Sequence, residues 1–479
     1  MRRARIVATL GPALDDREKL RAAIEAGVDV VRLNLSHGAH HEHARRLRHV
    51  REIARELGRN VGCLADLQGP KMRLGALPEG GVDVPPGSEV YLLPGRESLD
   101  RYEIDGLSAL PVPYEKLADD LHVGALVLID DGSIRLVVSR IDDGLLRARV
   151  VVGGCATSRK GLNLPGVAVS ASSLTDKDEA DLAAAVDLAA DWIALSFVRS
   201  PVDIEEARKR IASLGGEAPV VSKLERPEAI EDLEAVIDAS DAVMVARGDL
   251  GVEIGPERVP AIQKAIIAQA NAAGKPVITA TEMLETMVAS PRPTRAEASD
   301  VANAVFDGTD ALMLSGETAT GDYPVEAIRT MARIIEVAES SPEHVDRLPD
   351  WRTVPEVGRV VADAARRVAQ DIGAVALAVY SISGASIQRV SKRRPPVPLL
   401  GLTPKERTAR RTTLMWGTEA VLVPMKGQEH TLIETAEQVL VDGAWAEVGQ
   451  LIVIVSGLPG AQGATNRIIV HRIGDPVGE

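Results

Sequence analysis

Short apolar segments recur along the chain, and each is followed by polar residues of the kinds that hold phosphate or a metal ion. Amphipathic stretches of helical length lie between them, so strand and helix patterns alternate. In a parallel β/α barrel the carboxyl ends of the strands meet at one mouth, so we expect the polar ends of these segments to share one site. The segments are residues 30–38, 64–66, 220–225, 243–249, 277–281 and 312–317.

The alternation predicts an α/β fold built on a (β/α)8 TIM barrel. Three predicted strands precede residue 70 and five follow residue 190, which together make the eight strands of a closed barrel. A predicted helix over residues 324–340 closes it. The predicted strands are residues 6–10, 28–35, 61–67, 192–197, 220–224, 242–246, 277–280 and 311–314.

Changes in the alternation of strand and helix patterns predict two further units. Residues 75–166 lack amphipathic helices and show short alternating strands separated by turns such as Asp130-Asp131-Gly132, which indicates an inserted β module. A helix over residues 357–371 and four later apolar strands predict a C-terminal doubly wound α/β domain. The predicted domains are residues 1–70 and 169–345 for the barrel, 71–168 for the insert and 346–479 for the C-terminal domain.

Charge and composition exclude several classes of protein. The 479-residue chain has a formal net charge of −14, whereas nucleic acids and anionic membranes bind positive surfaces. Its only cysteines, Cys63 and Cys155, fit a reducing compartment. A strand pattern begins close to the amino terminus without a signal core, and no segment is long and apolar enough to span a bilayer. We expect a cytoplasmic protein with no nucleic-acid or membrane partner.

The strongest candidate chemistry lies at Lys223 and Glu225. Residues two apart on a strand point to the same side, so the ammonium and the carboxylate would share one face of the mouth. Asp249 follows the next strand, after Gly248, whose lack of a side chain lets the backbone approach a ligand. Two carboxylates from adjacent strand ends can hold Mg²⁺ with positions open for substrate. An ordinary surface ion pair is the alternative for Lys223 and Glu225 alone.

Other strand ends offer weaker candidates. Arg32 and Arg73 suit phosphate, because a guanidinium matches phosphate oxygens bidentately, although Arg73 alone could equally be a solvated surface residue. The hydroxyl of Thr281 could position a water or a proton beside a substrate, or it could cap a helix, and Ser315-Gly316-Glu317 poses the same choice. His37 is either a structural residue or a residue that packs on a nucleotide.

Taken together, six motifs closely resemble those of the pyruvate kinase family. They occur in the family's order and span essentially the whole chain, which makes the joint resemblance highly specific. Arg32-Leu33-Asn34-Leu35-Ser36-His37-Gly38, Leu64-Ala65-Asp66-Leu67-Gln68-Gly69-Pro70, Ser158-Arg159-Lys160-Gly161-Leu162-Asn163-Leu164-Pro165-Gly166, Ser222-Lys223-Leu224-Glu225, Ala246-Arg247-Gly248-Asp249-Leu250-Gly251 and Ser315-Gly316-Glu317-Thr318-Ala319 are the motifs.

The resemblance implies phosphoryl transfer from phosphoenolpyruvate to ADP, giving pyruvate and ATP in the last step of glycolysis. It implies that Glu225 and Asp249 hold Mg²⁺, for which Mn²⁺ can substitute, and that the insert is a small β-barrel lid. Catalysis would rest on Lys223, Thr281 and Arg32. Substrate binding would use Arg32, Lys223, Gly248, Asp249 and Thr281, and nucleotide binding would use Asn34, His37, Arg73, Asp131 and Lys160.

The chain departs from the commonest family pattern at three places. Leu35 replaces a phenylalanine, Arg226-Pro227 stands where an asparagine is frequent, and Glu282 replaces a glutamine. None of these changes removes a presumed catalytic group, although Glu282 adds negative charge beside the site.

The resemblance also bears on monovalent cations. Asn34, Ser36, Asp66 and the carbonyl of Leu67 match the family's K⁺ region, but Leu67, Gln68 and Lys71 resemble its K⁺-independent branch. An ammonium tethered beside the site can supply the charge of a bound K⁺. We therefore expect no K⁺ requirement; the alternative is that Lys71 is a solvated residue at the lid hinge.

A regulatory site is expected in the C-terminal domain. Hydroxyls and backbone N–H groups at a strand-to-helix turn suit a phosphate, and similar family members place a phosphorylated effector at such a turn. A plain helix cap is the alternative. The resemblance implies a homotetramer as well. The turn comprises Ser381, Ser383, Gly384, Ala385 and Ser386, with arginines and lysines at 389 and 392–394 nearby and a facing loop at residues 456–460.

Two other functions stay open from the sequence: another Mg²⁺-dependent barrel acting on phosphoenolpyruvate or pyruvate, such as an aldolase-like lyase, and a binding protein that kept the fold but lost catalysis. A lyase needs no nucleotide clamp, so Lys160 and the insert favour the kinase. The set of Lys223, Glu225, Asp249 and Thr281 argues against an inactive relative.

Overall fold

The computed structural model describes residues 2–142, 144–167, 169, 173–341, 356–424, 429–457 and 465–477. The chain opens with β/α units, as predicted. Asp16 caps the first helix by accepting a hydrogen bond from the Lys19 amide at 2.9 Å, and Gly27, at φ +122°, ends it. The elements are β1 (Arg5–Thr9), α1 (Arg17–Ala26), β2 (Val30–Asn34), α2 (His40–Glu56) and β3 (Gly62–Asp66).

The insert that follows is all-β apart from one turn of helix, α3 (Leu117–Asp120). Seven of its strands form one sheet in the order β12-β8-β9-β10-β5-β7-β6, and β11 pairs with β4. The sheet encloses its own apolar core, but its hydrogen-bonded order has two ends in the described residues, so the expected small barrel is open. The strands are β4 (Val82–Val84), β5 (Glu89–Pro94), β6 (Glu103–Ile104), β7 (Leu107–Val112), β8 (Leu126–Ile129), β9 (Ile134–Asp142), β10 (Leu145–Val152), β11 (Gly154–Ala156) and β12 (Leu162–Asn163).

Five more parallel strands then complete the barrel, whose closed order is β1-β17-β16-β15-β14-β13-β3-β2. This confirms the predicted eight-stranded barrel. The strands are β13 (Trp192–Leu195), β14 (Val220–Leu224), β15 (Ala242–Ala246), β16 (Val277–Ala280) and β17 (Ala311–Leu314). The helices are α4 (Asp176–Asp187), α5 (Pro201–Ser213), α6 (Pro227–Glu231), α7 (Leu233–Ala239), α8 (Arg247–Ile254), α9 (Val259–Ala273), α10 (Arg295–Asp307), α11 (Gly316–Ala319) and α12 (Pro324–Glu339).

The C-terminal sheet has the order β20-β19-β18-β21-β22. Its first four strands are parallel and give the predicted doubly wound arrangement, while β22 is an antiparallel edge strand that the sequence pattern did not predict. The apolar run of β22 is only three residues long, Ile468 to Val470, lies between basic residues and is half-buried or exposed, unlike the longer buried run of a central strand. The elements are α13 (Val357–Asp371), β18 (Ala376–Tyr380), α14 (Ala385–Ser391), β19 (Leu399–Thr403), α15 (Glu406–Arg411), β20 (Thr418–Leu422), α16 (Glu429–Asp442), β21 (Leu451–Ser456) and β22 (Arg467–Arg472).

Two apolar layers explain why the barrel strands read as continuous hydrophobic runs. One cluster lies between the strands and the outer helices, and a second takes residues from all eight strands and fills the inside of the barrel. Leu414 of the C-terminal region, 1% exposed, joins this inner cluster. No helix in the described ranges is long and apolar enough to cross a membrane. The domain boundaries predicted after residues 168 and 345 fall outside those ranges.

The same arrangement of an aspartate and a backbone amide recurs on the amino-terminal face of the barrel. An aspartate stands directly before β2, β13, β15 and β17, and each accepts a hydrogen bond from a backbone amide of the neighbouring strand at 2.8 to 3.0 Å. Two of them, both fully buried, also bind cations of the C-terminal region: Asp191 pairs with Arg410 at 3.0 Å, and Asp310 pairs with Lys392 at 2.7 Å. The aspartates are Asp29, Asp191, Asp241 and Asp310.

Replacing Arg410 with methionine should therefore destabilise the protein. The Asp191 side chain is fully buried, and without Arg410 only the Cys63 amide and the charge of Arg51 still stabilise its negative charge, so the loss costs up to about 3–5 kcal/mol. Urea denaturation followed by circular dichroism would measure the free energy of unfolding. Arg407→Met, on the same helix but paired with an exposed glutamate, is the matched control and should change it by less than about 1 kcal/mol. Equal losses in the two variants would contradict this account.

Candidate active site

Side chains from several strand ends converge at the carboxyl-terminal mouth of the barrel, as the sequence pattern predicts. Asp66, the last residue of β3, is 1% exposed and accepts a hydrogen bond from Arg32 Nε at 2.6 Å. Thr9 Oγ1, at the end of β1, accepts another from Arg32 Nη1 at 3.1 Å. The Asp66 carboxylate also lies 3.6 Å from Lys223 Nζ. Asp66 thus holds the cations of β2 and β14 in one place.

Lys223 stands at the centre of this group. Its ammonium lies 2.6 Å from Glu225 Oε1, as expected for neighbours two apart on a strand, and donates a hydrogen bond to Ser196 Oγ at 2.7 Å. Burial lowers the pKa of Lys223, but the charges of Asp66, Glu225 and Asp249 outweigh that effect and raise the pKa above its ordinary value. The side chain therefore carries a fixed positive charge at neutral pH, with only 12% of its surface exposed.

Glu225 is fully buried, and its carboxylate has few partners. Apart from the ammonium of Lys223, neither of its oxygens receives a hydrogen bond from the described residues. Burial raises the pKa of Glu225 to about 7, and the negative charge of Asp249 adds to the rise while Lys223 opposes it. Unpartnered carboxylate oxygens beside a second carboxylate fit a divalent cation, which prefers oxygen ligands and would supply the missing positive charge.

Asp249 occupies the first turn of α8 and faces the lid hinge. Its Oδ1 lies 3.1 Å from Lys71 Nζ, with about a quarter of each side chain exposed. A solvated hinge residue was the alternative for Lys71. In the structure its ammonium contacts the candidate metal ligand instead, so its charge is present at the mouth.

Thr281 follows β16 with a strained backbone. Its φ of +67° and the φ of +52° at Glu282 lie in the left-handed region, which side chains with a Cβ rarely adopt. Arg247 donates a hydrogen bond to the Thr281 carbonyl at 2.5 Å and is itself held by Asp300 at 2.7 Å. The Thr281 hydroxyl accepts a hydrogen bond from the Gly248 amide at 2.8 Å. The surrounding contacts thus hold this hydroxyl at the mouth.

The predicted nucleotide residues fall into two groups. His37 and Arg73 lie near the mouth, and Asn34 Oδ1 accepts a hydrogen bond from the Ser36 amide at 3.2 Å. Lys160 and Asp131 lie on the insert, where Lys160 pairs with Asp130 at 2.9 Å. Asp131 is exposed in a turn with φ +52°.

Leu67 belongs to the predicted monovalent-cation region. Its carbonyl accepts a hydrogen bond from Ser196 Oγ at 2.7 Å.

Two residues at the mouth were not predicted from the sequence. Ser196 follows β13 directly and joins the Lys223 ammonium to the Leu67 carbonyl, so the strand-end rule applied to residues 192–197 would have found it. Lys177, in the first turn of α4, donates a hydrogen bond to the Leu35 carbonyl at 2.6 Å and adds positive charge near His37. Lys177 does not follow a strand directly, so the strand-end rule does not predict it.

Comparison with known proteins identifies the relatives of this chain. Two family models match, "Pyruvate kinase, barrel domain" over residues 1–328 and "Pyruvate kinase, alpha/beta domain" over residues 359–471. The chain belongs to the pyruvate kinase family. A pyruvate kinase of Agrobacterium vitis is 43% identical and one of Mycobacterium tuberculosis 44% identical, each over 99% of both chains. A crystal structure of a Cryptosporidium parvum pyruvate kinase superposes with a TM-score of 0.90 at 32% identity, covering 98% of this chain and 96% of that one.

Membership of the pyruvate kinase family confirms the resemblance, and the three departures from its pattern find places in the structure. Leu35 is 3% exposed in the outer apolar cluster of the barrel. Arg226 pairs with Glu253 at 3.0 Å and donates a hydrogen bond to the Val167 carbonyl at 2.9 Å, so it ties the end of the insert to the barrel. Glu282 is exposed, and water therefore solvates its additional charge.

His37 should titrate below the ordinary histidine range. Burial lowers the pKa of its imidazole, and the charges of Arg73, Arg32, Lys177 and Lys71 lower it further, so the ring is neutral at pH 7. Arg73→Met should raise that pKa without restoring it fully, because the burial stays. An imidazole NMR titration, assigned with a His37→Gln variant, would measure it. Arg135→Met, an exposed arginine on the insert, should leave the titration unchanged; an unshifted pKa in Arg73→Met would contradict the electrostatic account.

Proposed function

We propose that the carboxyl-terminal mouth of the barrel is where this chain carries out the reaction of its family. The chain is a phosphotransferase that moves the phosphoryl group of phosphoenolpyruvate to ADP and gives pyruvate and ATP. The observation that carries the proposal is the fixed ammonium of Lys223 paired with the carboxylate of Glu225, both buried at the mouth, where Glu225 has no other hydrogen-bond partner among the described residues. These are the charges that a transferring phosphoryl group requires.

The family requires a divalent metal, and we infer that it is Mg²⁺, with Mn²⁺ as an acceptable substitute, held by Glu225 and Asp249. The buried oxygens of Glu225, which have no partner but Lys223 within the described part of the chain, support this choice. When bound, the ion neutralises charge on the carboxylate and phosphoryl oxygens of the substrate. The pairing of Asp249 with Lys71 leaves its second oxygen available for a ligand.

Lys223 and Arg32 would bind the phosphoryl group. As the bond between phosphorus and the enol oxygen breaks, a bond forms in line to a terminal oxygen of ADP, and negative charge develops on the enolate left behind. The Lys223 ammonium faces both centres and stabilises that charge in the transition state. Asp66 and Ser196 hold the ammonium in place, so no reorganisation is needed during the reaction.

Thr281 and Gly248 would complete the substrate site. The enolate becomes pyruvate when its carbon takes up a proton, and the Thr281 hydroxyl is proposed to deliver or orient that proton. The strained backbone at Thr281, held by Arg247, supports this role because such strain persists where the surroundings fix a geometry. Asn34, His37 and Arg73 would bind the nucleotide from the barrel side, and Asp131 and Lys160 from the insert, which closes as a lid and excludes water.

Replacing Lys223 with methionine should lower turnover by at least about a hundredfold to a thousandfold, because the ammonium acts mainly in the transition state. Metal binding should persist, since Glu225 and Asp249 stay in place. A coupled assay of pyruvate formation from phosphoenolpyruvate, ADP and Mg²⁺ would measure the loss. Lys209→Met, an exposed lysine on α5, is the control and should retain full turnover. Near-normal turnover of the Lys223 variant would refute the assignment.

We propose further that the enzyme does not require K⁺. The tethered ammonium of Lys71, 3.1 Å from Asp249, supports this, because its positive charge is present at the mouth and acts on His37, which follows the proposed cation residues Asn34 and Ser36 in the chain. A tethered charge acts without the cost of capturing an ion.

The K⁺ proposal predicts a gain of dependence in Lys71→Glu. With tetramethylammonium as the only monovalent cation, the parent enzyme should show full activity and gain little from KCl added at constant ionic strength. Lys71→Glu should lose most of its activity and recover part of it with KCl. Lys209→Glu, which makes the same charge change at an exposed site on α5, should behave as the parent does. Strong activation of the parent by K⁺ would defeat the proposal.

The remaining proposals concern regulation and assembly. We propose that the turn after β18 binds a phosphorylated effector; Ser381 Oγ accepts a hydrogen bond from the Gly384 amide at 2.9 Å, and Ser386 contacts Thr465 at 2.6 Å. Residues 458–460 of the facing loop lie outside the described ranges. We also propose that the protein is a homotetramer and that it is located in the cytoplasm. Within each chain, we propose the four domain ranges given in the sequence analysis. Light scattering tests the assembly.

The effector proposal predicts a change in substrate dependence. AMP, ribose 5-phosphate, glucose 6-phosphate and fructose 1,6-bisphosphate should be screened for a shift in the concentration of phosphoenolpyruvate that gives half-maximal rate. At least one should shift it, and Ser381→Ala combined with Ser383→Ala should weaken that response because the hydroxyls at the turn are lost. Arg329→Gln, on an exposed face of α12, is the control. No response to any compound would count against the effector site.

A further inference from the structure

A small cavity of about 30 Å³ lies where the insert joins the barrel. Insert residues 162–164 line it together with Arg199, Arg226 and Glu253 of the barrel. Arg226 and Glu253 are only 5% and 7% exposed. Because buried charges need partners, specific polar contacts hold this join in addition to apolar packing.

Arg226 contacts both the barrel and the insert. It follows Glu225 directly after β14, and its Nη1 lies 3.0 Å from Glu253 Oε1 on α8. Its Nη2 donates hydrogen bonds to the Val167 carbonyl and to Glu228, both at 2.9 Å, and its Nε donates one to Glu228 at 3.2 Å. Val167 belongs to the apolar core of the insert, so a hydrogen bond to its carbonyl holds the insert itself.

Glu253 receives a contact from the insert as well. Its side chain is 1% exposed, and the side-chain amide of Asn163, in β12, donates a hydrogen bond to the same Oε1 at 3.4 Å. That distance is long, and within the described residues Asn163 Oδ1 and Glu253 Oε2 have no hydrogen-bond partner. Arg226, whose three guanidinium nitrogens all have partners, is therefore the stronger contact between insert and barrel.

A second arginine holds the chain where it leads back to the barrel. Arg199 Nη1 donates a hydrogen bond to the Val169 carbonyl at 2.8 Å, and its Nη2 pairs with Asp203 at 3.3 Å. Arg226 and Arg199 thus bind carbonyls two residues apart in the chain. If Arg226 is lost, Arg199 stays in place, so we expect the insert to keep its fold while its attachment loosens.

The attachment of the insert shares its elements with the candidate metal ligands. Glu253 lies four residues after Asp249 on α8, and residues four apart on a helix lie on the same face. Arg226 comes directly after Glu225. The insert is therefore attached to the two segments of chain that position the candidate metal ligands.

We propose that the Arg226–Glu253 pair, with its two contacts to the insert, is a lid anchor that sets the position of the insert over the mouth. Arg226 and Glu253 are thus positioning residues, and this role rests on the proposed function of the insert as a nucleotide-binding lid. Lys160 lies three residues before Asn163, so fixing Asn163 restricts the residue that would bind the nucleotide. Arg226 is one of the departures from the commonest family pattern, which makes the lid anchor a feature of this chain.

Hydrogen–deuterium exchange of the full chain, without metal or substrates, tests the lid anchor independently of catalysis. The Leu162 and Val167 amides donate hydrogen bonds at 2.9 and 3.2 Å, so their exchange reports opening of the join. In Arg226→Gln they should exchange about tenfold faster, because charged hydrogen bonds are lost. Glu253→Gln should act in the same direction. Arg226→Lys should fall between Arg226→Gln and the parent, since it keeps the charge but donates fewer hydrogen bonds.

Steady-state kinetics of the same variants should separate nucleotide binding from substrate binding. The KM for ADP should rise by about tenfold in Arg226→Gln. The KM for phosphoenolpyruvate should change little, because the residues proposed to bind it lie on the barrel. Mn²⁺ affinity, measured by electron paramagnetic resonance of the free ion, should match that of the parent. Loss of Mn²⁺ binding would show that Arg226 acts on Glu225 instead of the lid and would overturn the proposal.

Arg208→Gln is the matched control. Arg208 pairs with Asp241 at 3.0 Å on the amino-terminal face of the barrel, so its loss should change neither the exchange nor the KM for ADP. Equally fast exchange in this control, or unchanged exchange in Arg226→Gln, would overturn the proposal. If Arg226→Gln fails to fold, Glu253→Gln and Arg226→Lys decide the outcome. A parent protein without kinase activity would refute the proposed function, whereas the exchange measurement would still decide whether the lid anchor exists.

Discussion

The ion pair between Lys223 and Glu225 is the interaction on which the candidate site depends. A buried ammonium is costly alone, and so is a buried carboxylate, but together with Asp66 and Arg32 they form a group in which each charge has a partner. Neither oxygen of Glu225 accepts a hydrogen bond from the described residues other than its contact with Lys223, so the carboxylate has room for a divalent cation, and the Lys223 ammonium supplies a fixed positive charge for a phosphoryl group. A substrate that brings both a phosphoryl group and a metal therefore completes the group.

The barrel makes this arrangement possible because its strands fix the side chains rigidly. Asp66, Lys223 and Glu225 lie at the carboxyl ends of their strands and Arg32 lies within β2, and apolar residues pack on both faces of these strands. The backbone strain at Thr281 is held in the same way, by Arg247 and the Gly248 amide. Loops alone would hold such a geometry less accurately.

The sequence predicted the barrel, the all-β insert and the C-terminal sheet because long periodic patterns carry those features. The convergence of Arg32, Asp66, Lys223 and Thr281 followed from one rule about strand ends. Other features carried no such signal. The edge strand β22 has only three consecutive apolar residues, flanked by basic ones, and Lys177 reaches the mouth from a helix. The pairing of Lys71 with Asp249 joins residues 178 positions apart, which no local pattern encodes.

The two faces of the barrel have different roles: one carries the candidate active site and the other contacts the C-terminal region. The carboxyl-terminal face carries the candidate active site, while the amino-terminal face carries aspartates, of which the buried Asp191 and Asp310 bind cations from the C-terminal region. The strands join the two faces, and β16 is the clearest case. It begins at Val277, two residues after Lys275, and ends at Ala280, directly before the strained Thr281, so it spans the barrel from the face that contacts the C-terminal region to the mouth.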